Sequence, residues 1–329
     1  MTHNTSDPIF NLIDNLSIGE IQYHEGITVF PLMTNIESIP YITLKEAHAN
    51  QLIQISEVSE SGSIPELRVV NFSQKNILLI DGEELAGAKQ NRILNTTILV
   101  PANGDVIIPV SCTEEGRWSY DTPNFYDSDE LASSNIRARK MGYVSDNLKT
   151  HKSYASDQGD VWDNIRLMRE KENIFSRTGS MKDIYDHKRR SLDMITDHFP
   201  VHEGQKGLLV FSGNGLIGLD VFSNESAYKQ YHEKLLRSYI ISVPNPETAF
   251  ENSAGDLNVG SLLENIRSCK EETFSSKGIG LDHRYTGPGL VGLMLSVEHQ
   301  FVHAAFFNDH GQHGYYRTTG RIYRNRRYR

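Results

Sequence analysis

Between residues 18 and 122 the chain breaks repeatedly into short runs of Val, Ile and Thr separated by turn residues. No other feature limits the possible folds as much. The runs are Ile27–Pro31 (ITVFP), Leu67–Asn71 (LRVVN), Ile77–Ile80 (ILLI), Ile93–Val100 (ILNTTILV) and Asp105–Cys112 (DVIIPVSC). β-Branched residues suit a pleated, half-buried surface, and the Asp-Gly and Asn-Gly pairs between runs supply turns. Many short strands at this spacing predict a sandwich or barrel. One helix interrupts them over Thr43–Gln54, with Thr43 as N-cap and Glu46 three residues on.

The character changes after residue 122. Residues 123–199 are rich in charges and helix formers, with helices predicted over Asp160–Phe175 and from Ser180, where Ser180 and Asp183 fit a capping box. Ser-, Gly- and Asp-rich breaks separate them, which predicts a loosely packed helical insert. Residues 200–310 return to regular α+β structure. Leu208–Phe211 and Leu216–Phe222 flank Ser-Gly-Asn-Gly as a hairpin, and helices are predicted over Glu225–Tyr239 and Ser261–Phe274, the latter from a Ser261/Glu264 capping box. Gly278–Gly292 is read as a connection, and Gly289–Val297 with Phe301–Phe307 as a closing hairpin. The expected class is therefore α+β, with a sandwich- or barrel-like N-terminal domain, a helical insert, and an antiparallel sheet with helices on one face.

At 329 residues the chain has length for about two domains. No window approaches the roughly 18 apolar residues of a membrane span. Met1–Asn15 lacks the basic and apolar regions of a secretory leader. Two cysteines, Cys112 and Cys269, exclude a disulfide framework and an all-cysteine zinc site. A soluble cytoplasmic protein is the expectation. Net charge is −9, but residues 317–329 hold six arginines and no acid; setting those aside leaves 27 bases against 42 acids. An acidic body repels nucleic acid, so such binding is expected only through the tail, where Tyr323 and Tyr328 are available to stack.

The densest polar motif is Asp81–Thr97 (DGEELAGAKQNRILNTT), set between the apolar runs NILLI and ILV. It reads as a long loop mounted on rigid strands, the usual setting for a site. Lys89 and Arg92 suit phosphate, Gln90, Asn91 and Asn95 suit directional hydrogen bonds, and Glu83 or Glu84 suits acid–base work. The other reading is a solvated turn, or a salt-bridge network pinning two domains. Ser111–Trp118 (SCTEEGRW) follows, with Glu114, Arg117 and Trp118 able to stack a ring and pair an anion, or to close a barrel.

Residues 65–118, with GAKQNR…LNTT and PVSC…E.GRW, closely resemble the domain family named for its association with ADP-ribosylglycohydrolases and the rhodanese–phosphatase superfamily. GLIGLDVFSN, KLLRSY and FVHAAFF extend the resemblance over roughly residues 18–310, leaving out the arginine tail and aligning poorly near 126–198. It implies a neighbourhood of ADP-ribose, nucleotide or phosphate metabolism.

Other chemistries find less support. No histidine lies between His48 and His151, so a histidine metal site in the first domain needs imported ligands; a carboxylate magnesium site from Asp81, Glu83 and Glu84 stays open. His299, His303, His310 and His313 cluster late, with His303 expected as a structural strand residue. Cys112 fits a buried strand position better than a nucleophile. No phosphate-binding glycine motif and no G-x-S-x-G occurs. Two functions remain: handling of a nucleotide- or ADP-ribose-related ligand, hydrolytic or phosphate-processing, at loop 81–97; or a non-catalytic interaction or scaffold protein in a bacterial metabolic or defence complex, with a protein partner or a second copy. No cofactor is assigned.

Overall fold

The strand-forming runs of the first 131 residues divide between two sheets and a barrel. The computed structural model describes residues 7–37, 39–59, 65–213, 215–243 and 258–309. It begins with helix α1 (Pro8–Asp14) and strands β1 (Leu16–Ile18), β2 (Gln22–His24) and β3 (Ile27–Thr34). Then come β4 (Tyr41–Thr43), α2 (Leu44–Ala49), β5 (Ile53–Glu57), β6 (Glu66–Asn71), β7 (Asn76–Leu79), β8 (Glu83–Gly87), β9 (Arg92–Leu94), β10 (Ile98–Val100), β11 (Asp105–Cys112) and β12 (Phe125–Leu131). Three helices follow, α3 (Ser134–His151), α4 (Gln158–Lys171) and α5 (Met181–Thr196). The rest is β13 (Gln205–Ser212), β14 (Gly215–Phe222), α6 (Glu225–Ile240), α7 (Val259–Arg267), β15 (Lys270–Ser275), β16 (Leu281–Gly287), β17 (Leu290–Val297) and β18 (Gln300–Asn308).

β11, β6, β5, β12, β8 and β9 close into a six-stranded barrel. Its interior is apolar because one face of each strand is: Ile53 and Ile55, Leu67 and Val69, Leu85, Leu94, Ile108 and Val110, and Phe125 share one core. β10, β7 and β4 form a small sheet, and Ile77, Leu79, Ile98 and Val100 with Leu44 and Ala47 join that core where β7 runs into β8 and β9 into β10. Thr43 caps α2 as expected, accepting from Glu46 N at 3.1 Å.

The second body is a nine-stranded sheet in the order β1-β3-β13-β14-β18-β17-β16-β15, with β2 beside β3. β1–β3 therefore belong with the C-terminal strands and not with the barrel, although they precede it in sequence. The cause is the run ITVFPLMT, buried on both sides, which needs a two-faced interior such as this sheet offers. Val29, Leu208, Val210, Leu293 and Phe307 face one core, while Phe30, Leu209, Leu219, Met294 and Phe306 face the other. Helices cover both faces, not one: α6 lies on β13 and β14, and α1 and α7 on β18 and β16.

Other expectations change as well. The insert is not loose: Ile136, Met141, Val161, Ile165 and Ile184 belong to the main core. Ser180 does cap α5, but through Lys182 N, and Asp183 accepts from Ser176 instead. α7 starts from Asn258, which accepts from Ser261 N at 2.8 Å, and stops at Arg267, so Lys270–Ser275 is strand. Leu281–Gly287 is strand too, its Asp282, His283 and Arg284 buried. His310, His313 and the arginine tail lie outside the described residues. Among those described, no helix is long and apolar enough to cross a membrane.

Barrel and sheet meet over a buried ionic seam. Arg137 on α3 donates to Asp220 of β14 through both terminal nitrogens, at 2.9 and 2.7 Å, and through Nε to Asp81 ahead of β8 at 3.3 Å. Lys140, one turn on, also donates to Asp81. Tyr239 and His303 complete Asp220, with His303 reaching on to Thr97 at 3.0 Å. Burial alone would raise the Asp220 pKa, but Arg137 and His303 hold it down at about 2. Gly82 is required here: its φ is +80°, and a Cβ would strike the Arg137 stem. Removing one member of such a pair leaves uncompensated buried charge. Arg137→Ala is expected to lower the unfolding free energy by about 3–5 kcal/mol in urea titrations; a loss under about 1 kcal/mol would show that the seam contributes little.

Candidate functional site

The polar motif is not one long loop. Residues 83–87 and 92–94 are strands β8 and β9, paired through Glu84↔Ile93 and Leu85↔Arg92, leaving a turn over residues 88–91. Alternation then sends its side chains to different places. Asp81, ahead of β8, and Glu83, on the Leu85 side at its start, meet α3 and α6 at the seam, while Glu84 and Asn95 lie on the outer wall with Ile93. Arg92 lies on the inner face with Leu85 and Leu94, and the turn presents Lys89, Gln90 and Asn91 at the barrel's mouth.

Each of the seam and outer-wall residues has its own partner, although Glu84 Oε2 has none among the described residues. Glu83 accepts from Ile80 N at 3.1 Å, Tyr231 at 3.2 Å and Lys234 of α6 at 3.1 Å. Burial raises the Glu83 pKa, and Lys234 opposes the rise. Burial works against the Lys234 charge, but Glu83 and Asp127 outweigh it and raise its pKa. Glu84 accepts from the Thr113 hydroxyl at 2.8 Å on the outer wall of β8. Asn95 donates to Tyr154 O at 3.0 Å and accepts from Ser111 at 2.8 Å. Asp81, Glu83 and Glu84 do not converge, and among the described residues no group of three His, Cys, Asp or Glu is placed to hold a metal.

The mouth is built differently. Its deepest polar group is Arg92, 0% exposed, which donates to Gln90 Oε1 at 2.7 Å and touches Cys112 Sγ. Its Nε and Nη2 have no partner among the described residues. Glu57, ending β5 on the same face as Ile53 and Ile55, buries both carboxylate oxygens, also without a partner among the described residues. Both residues act electrostatically on the Cys112 thiol, whose pKa burial and Glu57 raise against the pull of Arg92. Cys112 is thus a neutral strand thiol, as expected. No ion pair joins Arg92 to Glu57 among the described residues, so two opposite charges face the same interior unmatched. Such orphaned buried groups are rare in native proteins.

Above them lies an aromatic shelf. Trp118 is 49% exposed and Tyr120 54%, so both keep open ring surface. Lys89 Nζ sits 5.5 Å from the Trp118 centroid and 5.2 Å from Tyr120, and the Arg92 guanidinium 5.6 Å from Trp118. Gln90, Asn91, Glu114 and Arg117 frame the rim: Arg117 donates to Glu114 at 2.8 Å, to Asn91 at 3.0 Å and to Ala88 O at 2.6 Å, and Gln90 donates to Glu114 O at 2.7 Å. Burial would raise the Glu114 pKa, but Arg117 holds it below the usual carboxylate range. Gln158 of α4 brackets the Cys112 backbone, donating to its O at 2.9 Å and accepting from its N at 2.7 Å.

Sequence reasoning missed Glu57, Tyr120 and Gln158. The first carried a signal: in IQISE a glutamate falls on the stripe of two buried isoleucines. Tyr120 and Gln158 carried none.

Glu84 supplies a pH test. Burial, with no cation at ion-pair distance among the described residues, pushes its pKa from 4.5 to about 7. The native protein then holds a proton between about pH 4.5 and 7 that the unfolded chain has lost, so stability falls as pH rises through that window, by up to roughly 3 kcal/mol. Glu84→Gln is expected to make this part of a stability–pH profile less steep, Glu83 and Glu130 being raised to about 7 as well, and to exceed wild type at pH 8. An unchanged slope would show that Glu84 ionises normally.

A search of the curated proteins and one of the solved structures find no match to the chain. A family model matches residues 15–307, and the chain belongs to the ARG and Rhodanese-Phosphatase-superfamily-associated Protein domain family.

Proposed function

We propose that the protein binds a phosphorylated, ring-bearing small molecule of the nucleotide or ADP-ribose class at the mouth of its barrel. The observation that carries this reading is Arg92, a fully buried guanidinium beneath an exposed tryptophan, with two N–H groups unpartnered among the described residues. Barrel mouths are favoured ligand sites, and a guanidinium is costly to bury with its donors unmet unless a ligand meets them. Trp118 and Tyr120 offer stacking surface for a flat ring, and Lys89 over both supplies charge for a phosphate at the rim. Gln90, Asn91, Glu114 and Arg117 act as the frame that fixes this geometry.

The enclosure of Glu83 and Glu84, each with its own partner, favours binding over acid–base chemistry by these two residues. The family's name associates it with the rhodanese–phosphatase superfamily, which is compatible with a phosphate-bearing ligand.

Thermal denaturation with ADP-ribose and common nucleotides tests the reading. Saturating ligand is expected to raise the wild-type Tm by several degrees. Lys89→Ala and Trp118→Ala should abolish most of that shift; the ligand-free Tm should move little in Trp118→Ala, whose side chain is half exposed, and more in Lys89→Ala, whose side chain is buried. A shift retained in both variants places the ligand elsewhere.

A further inference from the structure

Resting on that site, we infer that the ring it selects is guanine. The argument starts from the two unmatched groups inside the barrel. Arg92 offers Nε and Nη2, a side-on pair of donors with nothing to meet them among the described residues. Glu57 offers both carboxylate oxygens, equally unmet. The Arg92 side chain and the Glu57 carboxylate oxygens are enclosed, Arg92 touches Cys112, and both charges act on its thiol. Their charges cancel, so the deep half of the site has no excess charge for a phosphate, and the Glu57 carboxylate repels one. It calls instead for a neutral ring that presents two acceptors to Arg92 and two donors to Glu57.

Among the common bases this pattern belongs to guanine. Its O6 and N7 form the acceptor pair that an arginine fork takes. Its N1–H and N2–H lie side by side as a donor pair for a carboxylate, which only accepts. Adenine puts an amino group where Arg92 needs an acceptor and bare N1 where Glu57 needs a donor. Uracil has one N–H between two carbonyls, so one Glu57 oxygen would face a carbonyl oxygen. With the base in this position, its face meets Trp118 and its phosphate leaves toward Lys89 at the rim, where net positive charge lies.

A site built around buried hydrogen-bonding groups discriminates strongly, because the wrong ring leaves those groups unpaired. Titration calorimetry on the full chain with GMP, IMP, AMP and ADP-ribose reads this directly. GMP should bind tightest, with IMP, which lacks the 2-amino group, about tenfold weaker and the two adenine compounds about a hundredfold weaker. Glu57→Gln keeps the shape but offers one donor and one acceptor, so the preference for GMP over AMP should fall to about tenfold, the part that the Arg92 mismatch with adenine leaves. If AMP or ADP-ribose binds wild type as tightly as GMP, the guanine assignment is overturned while the mouth remains a nucleotide site. A guanine preference unchanged in Glu57→Gln overturns the role of Glu57. If none of the four binds, both this inference and the site reading fall. Should Glu57→Gln not fold, the wild-type ranking alone decides.

Discussion

One arginine ties the molecule together. Arg137 reaches the barrel through Asp81 and the large sheet through Asp220, from a helix that belongs to neither. A buried ion pair is a poor source of net stability, since desolvation offsets most of the Coulomb gain. It is a strict source of geometry, because any docking of barrel on sheet that separates these charges leaves a bare one in the interior. Tyr239 and His303 tighten the same constraint around Asp220. The apolar contacts between the bodies tolerate sliding, and this network does not.

That division explains how a single motif does two jobs. Period-two alternation along β8 and β9 sends Glu84 outward and Leu85, Arg92 and Leu94 inward. Glu83, at the inner end of β8, meets Lys234 and Tyr231, Glu84 meets Thr113, and together they fix where the strands lie. The inward arginine and the turn at 88–91 then stand at a position that the seam has already determined. A binding group held this way loses little entropy on meeting a ligand.

Much of this was legible in the sequence. β-Branched runs and turn pairs pointed to a barrel, and the hairpins at 205–222 and 290–308 were plain. The motif stood out through its density of charge, and Lys89, Arg92 and Trp118 do meet at one end of the barrel. What could not be read was direction: whether a polar residue faces seam, mouth or solvent depends on which strands pair, and register is a long-range property. α3 was invisible for a related reason, since its buried face spends two positions on Arg137 and Lys140 and so shows a weak apolar stripe. β12 (FYDSDEL) hid behind its acids, three of which serve Lys234 and Arg237. Ser261–Phe274 misled because a spurious capping box joined a helix to a strand.

The pairing of β3 with β13 bears on how such a chain is made. The six barrel strands lie within residues 53–131, so the barrel can close early as the chain leaves the ribosome. β1–β3 emerge before it, but β13, the outer partner of β3, follows the barrel and four intervening helices. Until β13 arrives, the apolar run ITVFPLMT has β1 and β2 on one edge and an open edge on the other, and unpaired edges of nascent chains invite association with neighbours. The oldest segment of the chain must therefore wait longest, and slow closure of the large sheet is the step at which chaperone protection matters most.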